Sequence, residues 1–364
     1  MSALLPELID RITSSGPLSI AEYMQECLLH PTRGYYATRD PFGAGGDFTT
    51  APEISQMYGE LIGLCVAQAW LDRGAPKSFT LAEPGPGRGT LMADILRATR
   101  SVPGFHAAAK VHLIEASATL RNIQQETLKG YVITWCDAVS DLPQAPLFLI
   151  ANEFLDALPI RQFIREGAGW RERRVGLDEA GENLRFGAGD STCIEALKHR
   201  LVDTKDGDLI ELCAPARAIS AEISQRIANS GGLALLVDYG GWHSNGDTFQ
   251  ALKAHAFADP LKEPGDTDLT AHVDFEPLAQ EAQHAGILAS GLTHQGVFLE
   301  RLGITQRAQT LAEGLTENAL DAHIAAHRRL THPEEMGTLF KAMALFEKDT
   351  PPPPGFNPPG ANSL

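Results

Sequence analysis

The sequence predicts an α/β protein built on a doubly wound parallel sheet. Apolar strand-like runs alternate with segments of helical period. The fifth such run, LALLVDYG, is almost continuously apolar, as befits a strand covered on both faces. Polar or acidic residues close successive runs, and in open α/β sheets ligands bind beyond the carboxyl ends of the strands.

Residues 1–75 read as a helical region: LPELIDRITSSG, then SIAEYMQECLLH stopped by Pro31, a glycine-rich loop, and EISQMYGELIGLCVAQAWLDRG. The first strand is SFTLAEP, followed by a glycine turn and the helix TLMADILRATRSV. KVHLIEAS and ATLRNIQQETLKG repeat the unit, and YVITWCDAV and PLFLIANEF supply the third and fourth strands. About 75 residues then precede the fifth strand, more than a crossover needs. Their first part, 161–206, has short alternating runs broken by glycines and reads as an inserted β lobe. CAPARAISAEISQRIANSGG supplies the crossover helix. FEPLAQEAQHAG is helical, GILASGLTHQGVFL leads from a strand into a helical subdomain at 298–336, and GTLFKAMALFE is a last strand. The core is thus assigned to 76–160, 207–297 and 337–348. The proline-rich tail, 349–364, is expected to be extended and mobile.

Bulk properties narrow the function. With 30 Lys and Arg against 46 Asp and Glu, the charge of −16 argues against unaided binding to nucleic acid. No apolar run reaches the ~18 residues of a spanning helix. LIGLCVAQAWL at 61–71 reads instead as a buried helix, so membrane insertion is not expected. Five scattered cysteines without a CxxC pair suggest neither a disulfide framework nor a zinc site, and a reducing compartment follows. The opening residues resemble no presequence, which fits a bacterial cytoplasm and is also compatible with a mature mitochondrial form.

The stretch LAEPGPGRGT, 81–90, carries the first chemical clue. Gly85, Gly87 and Gly89 form GxGxG, with Thr90 where a dinucleotide fingerprint places its third glycine, and no lysine closes the turn as in a Walker loop. Glu83 would repel a pyrophosphate but attract a cation. S-adenosylmethionine (SAM) carries a sulfonium and an ammonium, and glycines let backbone approach such a ligand closely. Glu115, ending the second strand, suits the ribose hydroxyls, and Asp137, ending the third, the adenine amino group.

ExGxGxG with acids after strands two and three resembles the class I (Rossmann-like) SAM-dependent methyltransferases. GGDFTTAPEISQMYGELIG, LAEPGPGRGTLMADILR, ANEFLDALPIRQF, LLVDYG and DLTAHVDFEPLAQEAQ together resemble the MidA-like family, in order over roughly residues 15–345. That family includes the mitochondrial complex I assembly factor that methylates a protein arginine. The inserted lobe and the tail match poorly. The resemblance implies a seven-stranded methyltransferase core, SAM as cofactor, and an accessible arginine on a protein partner, of the respiratory-complex type, as methyl acceptor.

An arginine acceptor begins as a protonated guanidinium, so carboxylates must orient it and help remove a proton. ANEFLDALP offers Asn152, Glu153 and Asp156 at the end of the fourth strand, with Glu153 as the acceptor contact and Asp156 as helper. Asn152 and Asp156 equally suit turn or cap roles. GAGGDFTTAPEIS carries Gly45, Gly46, Asp47, Thr49, Thr50 and Glu53. It reads as a lid over the site, or, for Glu53, as an acid at a helix start opened by Pro52. GDTDLTAHVDF places Asp266, Asp268, His272 and Asp274 after the fifth strand, with His272 either a proton acceptor or structural. His323 and His327 lack the acid of an HExxH pair, so no metal is expected. The leading reading is a SAM-dependent methyltransferase acting on protein arginine. A non-catalytic assembly factor retaining the fold and a small-molecule methyltransferase are the alternatives.

Overall fold

The computed structural model describes residues 2–38, 49–243 and 246–357, which form two compact units: Met1–Phe48 with Asp156–Ala216 and His243–Asp274, and Thr49–Leu155 with Arg217–Trp242 and Phe275–Leu364.

The larger unit holds the central sheet. Its strands are β1 (Phe79–Pro84), β2 (Ala109–Ile114), β3 (Ile133–Cys136), β4 (Leu147–Asn152), β5 (Gly232–Gly241), β6 (Leu288–Ala289) and β7 (Phe340–Phe346). They lie in the order β3-β2-β1-β4-β5-β7-β6. The first five are mutually parallel and β7 is antiparallel, with Leu81 beside Phe148 and Asn152 beside Val237. The order reverses at β1, which puts the end of that strand at a topological switch point. β1, β4 and most of β5 are buried along their length, the expected result of helices on both faces. Phe79, Phe105, Phe148 and Trp70 stack edge-on or tilted at 5–6 Å in the core. Each such ring contributes about 1.5–3 kcal/mol of burial.

Helix α1 (Gln56–Asp72) is buried around most of its circumference, which explains why its sequence has so little amphipathic character. It carries Gly59 and Gly63 on the side facing α2 (Thr90–Ala98). A Cβ at Gly59 would sit 2.5 Å from Asp94 Cβ, and one at Gly63 2.9 Å from Ile95 Cα. Each glycine costs the helix roughly 1 kcal/mol relative to alanine, and the close seating of α2 offsets this. Because α2 begins at the glycine turn, this packing fixes the turn. The remaining helices used below are α3 (Ala118–Thr127), α4 (Ala214–Ser230), α5 (Phe275–His284), α6 (Gln295–Arg301), α7 (Ile304–Ala312) and α8 (Glu317–Thr331). Buried Glu60 of α1 accepts from Arg97 Nη1 at 2.5 Å and from Arg307 Nε of α7 at 2.7 Å. No helix of the described residues is long and apolar enough to cross a membrane.

The tail differs from expectation. Phe356 is buried, its ring 4.6 Å from Phe298, and the Gly355 carbonyl accepts from Arg301 Nη1 at 3.1 Å. These contacts, with Arg73 Nη2 donating to Thr350 Oγ1 at 3.0 Å, make residues 349–357 packed chain rather than a loose tail.

The smaller unit contains the lobe. Antiparallel strands Arg161–Glu166, Gly169–Leu177, Leu184–Thr192 and Leu209–Leu212 form its sheet, and Leu18–Ser19 pairs with Gly169–Leu177 through Leu18 and Val175. Ser19 then caps helix Ile20–Leu29 in a capping box with Glu22. Leu8, Tyr23, Met24, Ile160 and Val175 share one core. Strands Gln250–Lys253, Ala256–Ala258 and Asp268–Thr270 make a second small sheet in this unit. The unit boundaries therefore fall at 48, 155, 216, 242 and 274 rather than at the 75, 160, 206 and 297 expected. The reason is that the described residues of 2–38, 209–212 and 246–274 bury their apolar faces with the lobe.

Candidate active site

The site is built at the carboxyl ends of β1, β2 and β4. Past Pro84 the chain turns through Gly85 (φ 61°), Gly87 (φ 53°) and Gly89 (φ 82°), all in the left-handed region that L side chains avoid. Gly85 N donates to the Ile114 carbonyl at 2.9 Å, and a Cβ at Gly85 would lie 2.8 Å from the Phe154 ring. Gly89 N donates to the Pro86 carbonyl at 2.7 Å and closes the turn onto α2.

Glu83 is buried at 3% exposure, and its Oε2 has no hydrogen-bond partner among the described residues. Burial pushes its carboxyl up to about 8. A buried acceptor left unsatisfied costs about 1–3 kcal/mol, more when charged, and persists where a ligand completes it. A cation would complete it, because it would both bond the orphan oxygen and restore the charged form.

Glu115 is also buried. Its Oε1 accepts from Ser117 N at 2.7 Å and its Oε2 from Gln124 Nε2 at 3.2 Å. Burial raises its pKa, and the bond from Ser117 N works in the opposite direction. Asp137 has a side chain 86% exposed and bonded to Arg121 Nη2 at 2.5 Å. The glycine turn, the orphaned Glu83 oxygen and the acids of β2 and β3 fit a nucleoside with a cationic, amino-acid-like end.

Around the end of β4, Glu153 takes a left-handed backbone conformation (φ 49°), which is unusual for a residue with a side chain and costs of order 1–3 kcal/mol. Its N donates to the Val237 carbonyl at 2.9 Å, and its Oε1 accepts from Ala51 N at 2.7 Å and Asn152 Nδ2 at 3.2 Å. Tyr58 donates its hydroxyl to Asn152 Oδ1. Burial, reinforced by the charges of Glu153, Asp238 and Glu83, holds the Tyr58 phenol well above its usual range, so it remains a donor. Asp238, just past the last β5 residue paired with β4, accepts from Leu155 N and Tyr239 N, each at 2.9 Å.

Glu53 sits in the first turn of the short helix Ala51–Ile54 behind Pro52, the helix-start position expected of it. It accepts from Thr90 Oγ1, the first residue of α2, and lies 3.6 Å from Arg88 Nη1 in the turn. Its carboxylate braces the glycine turn, beyond a helix-start role. In the smaller unit, Asp156 is buried and its carbonyl accepts from Ala271 N at 3.0 Å. His272 there donates its backbone N–H to Thr248 Oγ1 at 2.9 Å, and buried Asp268 accepts from Tyr36 Oη at 2.9 Å. Asp47, Gly45 and Gly46 lie outside the described residues. Among the described residues no His, Cys, Asp or Glu group forms a metal cluster. Sequence reasoning passed over Tyr58, Arg88, Gln124 and Asp238. Only Asp238, near the end of the fifth strand, carried a positional signal.

Strand order 3-2-1-4-5-7-6 with the seventh antiparallel, together with this turn and acid, defines a class I SAM-dependent methyltransferase. The chain matches the model of a family of S-adenosyl-L-methionine-dependent methyltransferases over residues 61–293. It is 37% identical to the human mitochondrial protein arginine methyltransferase NDUFAF7, over 95% of this chain and 84% of that one. It is 35% identical to the Drosophila melanogaster homologue, over 94% and 85%. A COG1565 superfamily structure from Burkholderia thailandensis, bound to S-adenosyl-homocysteine, superposes with a TM-score of 0.83 at 29% identity, covering 97% of this chain and 94% of that one. The chain belongs to the MidA-like (COG1565) family of SAM-dependent methyltransferases, and SAM is its cofactor.

Proposed function

We propose that this enzyme methylates an arginine side chain of a protein partner. The supporting observation is Glu153, a carboxylate held on strained backbone at the end of β4, in a family whose relatives are named protein arginine methyltransferases. Bound SAM supplies an electrophilic methyl group on sulfur. Glu83 holds the cationic end of the cofactor, Gly85, Gly87 and Gly89 admit it, Glu115 receives the ribose hydroxyls and Asp137 the adenine amino group. Glu53 acts as a positioning residue that braces the turn through Thr90 and Arg88.

Glu153 faces the acceptor. Two unit charges at 4 Å attract by about 4 kcal/mol at an effective dielectric of 20, enough to orient a guanidinium and localise its charge. Its Oε1 is fixed by Ala51 and Asn152. Asp156, Asp47 and His272 are proposed on the acceptor side from their sequence positions. The partner is proposed to be a respiratory-complex subunit, the acceptor type to which the family resemblance points.

The test incubates the purified enzyme and methyl-labelled SAM with proteome extract and, separately, with a metabolite pool. Label recovered as methylarginine after protein hydrolysis, and lost in Glu153→Gln while S-adenosylhomocysteine still binds, supports the reading. Label confined to the metabolite pool would overturn it. Binding without any turnover would leave the assembly-factor reading in its place.

A further inference from the structure

Gln124, on α3, is fully buried. Its Nε2 donates to the Gly87 carbonyl at 2.8 Å and to Glu115 Oε2 at 3.2 Å, while its Oε1 accepts from Trp135 Nε1 on β3 at 2.8 Å. The indole N–H can only donate, so the Trp135 bond fixes which end of the amide is oxygen. Both amide hydrogens must then face the two oxygens. The amide joins the turn after β1, the end of β2 and the body of β3. The stem packs there as well, because a Cβ at Gly89 would lie 3.5 Å from Gln124 Cγ.

We propose that Gln124 is a positioning residue for the cofactor, holding the Glu115 carboxylate and the glycine turn in mutual register to receive the nucleoside half of SAM. The inference rests on the reading of Glu115 as the ribose acid. A carboxylate offers about four acceptor sites. Ser117 N takes one on Oε1, Gln124 Nε2 takes one on Oε2, and the Ala116 backbone amide also bonds the carboxylate, so the orientation these three impose decides which sites face a ribose hydroxyl. Without the Gln124 bond, Glu115 can rotate about its terminal torsion, and the Gly87 carbonyl loses the partner that holds the turn in place. Glutamate would be worse than an apolar residue at 124, because it sets an oxygen against both the Gly87 carbonyl and the Glu115 carboxylate.

Gln124→Met keeps the side-chain length without donors, and Gln124→Glu keeps the acceptor for Trp135. Melting temperature, calorimetric Kd for S-adenosylhomocysteine and for adenosine, and KM for SAM against kcat are measured for both. The expected result is a Kd about tenfold or more weaker for both ligands, by the same factor, with kcat nearly unchanged, as suits a lost bond to a charged acceptor. A variant that melts like wild type and binds S-adenosylhomocysteine within about twofold of it would overturn the inference. So would a loss confined to kcat. If Gln124→Glu fails to fold, Gln124→Met, the milder change, decides the matter by the same criteria. Glu115→Ala separates the two levels: if it binds normally, the ribose-acid reading fails, whereas weak binding there beside normal Gln124 variants removes Gln124 alone.

Discussion

Ala51 N donates to Glu153 Oε1 at 2.7 Å, tying the short helix Ala51–Ile54 to the end of β4. The same helix sends Glu53 to Thr90 at the start of α2. One four-residue segment therefore braces both the cofactor turn and the proposed acceptor carboxylate. Glu153→Gln retains an oxygen for Ala51, removes the charge and turns the other carboxylate oxygen into a donor. It is expected to fold and to bind S-adenosylhomocysteine as wild type does, while turnover falls by about 100-fold or more, the usual scale for a group that stabilises charge during reaction. Single-turnover kinetics with calorimetry checks both halves, and parallel loss of binding and turnover would refute the division of roles.

As the proposed holder of the cationic end of SAM, Glu83 should make cofactor binding pH-dependent. Its folded pKa, near 8, lies above the ordinary carboxyl value, so in the ligand-free protein it is protonated at neutral pH. A cationic ligand requires the carboxylate, so SAM affinity should rise up to tenfold per pH unit until about pH 8 and then level off. Calorimetry in buffers of differing ionisation enthalpy should register release of a proton on binding. For stability the sign is opposite to that of a salt-bridged acid: the folded state holds the proton more tightly than the unfolded chain. The ligand-free protein therefore loses up to about 1.4 kcal/mol per pH unit as pH rises from the ordinary carboxyl value toward 8. Glu83→Gln should flatten that slope in thermal melts. A slope unchanged by the substitution would show that Glu83 is ionised before ligand arrives.

The sheet was legible because each parallel strand is a closed apolar run ending in a polar residue, and each crossover has helical period. Glu83, Glu115 and Asp137 could be found from those same strand ends. The division into units was not legible, since Leu18–Ser19 is a two-residue strand whose partner around Val175 lies far along the chain. Gln124 was invisible for a related reason. On its helix it is an ordinary polar residue, and its meaning arises only where Gly87, Glu115 and Trp135 meet. The strain at Glu153 likewise leaves no trace in composition, because nothing in ANEFLDALP marks a left-handed glutamate.

Gly85 tests the turn itself. Alanine there must adopt φ near 61° and place its methyl 2.8 Å from the Phe154 ring. The backbone term costs about 1–2 kcal/mol. The ring must also shift, and with it the chain just after Glu153. Gly85→Ala should lower the melting temperature modestly and weaken S-adenosylhomocysteine binding by about tenfold or more, as 1.4 kcal/mol corresponds to a factor of ten. A variant indistinguishable from wild type in both would mean that the turn tolerates side chains and that its glycines are not there for the ligand.

Phe356 tests the packed tail. Its ring lies 4.6 Å from that of Phe298 in α6, and the Pro354 carbonyl beside it accepts from the Cys65 thiol of α1 at 3.4 Å. The tail thus fastens α6 and α1 from outside, far in sequence from both. Phe356→Ala removes a buried ring at a site that can partly collapse, so a loss of about 3 kcal/mol is expected, at the lower end for such truncations. Chemical denaturation should show a lower midpoint with little change in slope. S-adenosylhomocysteine affinity, measured at a temperature where the variant is folded, should stay close to wild type, because Phe356 touches neither the glycine turn nor the acids beside it. An unchanged midpoint would show that the proline run is held by other contacts and that the aromatic anchor is incidental.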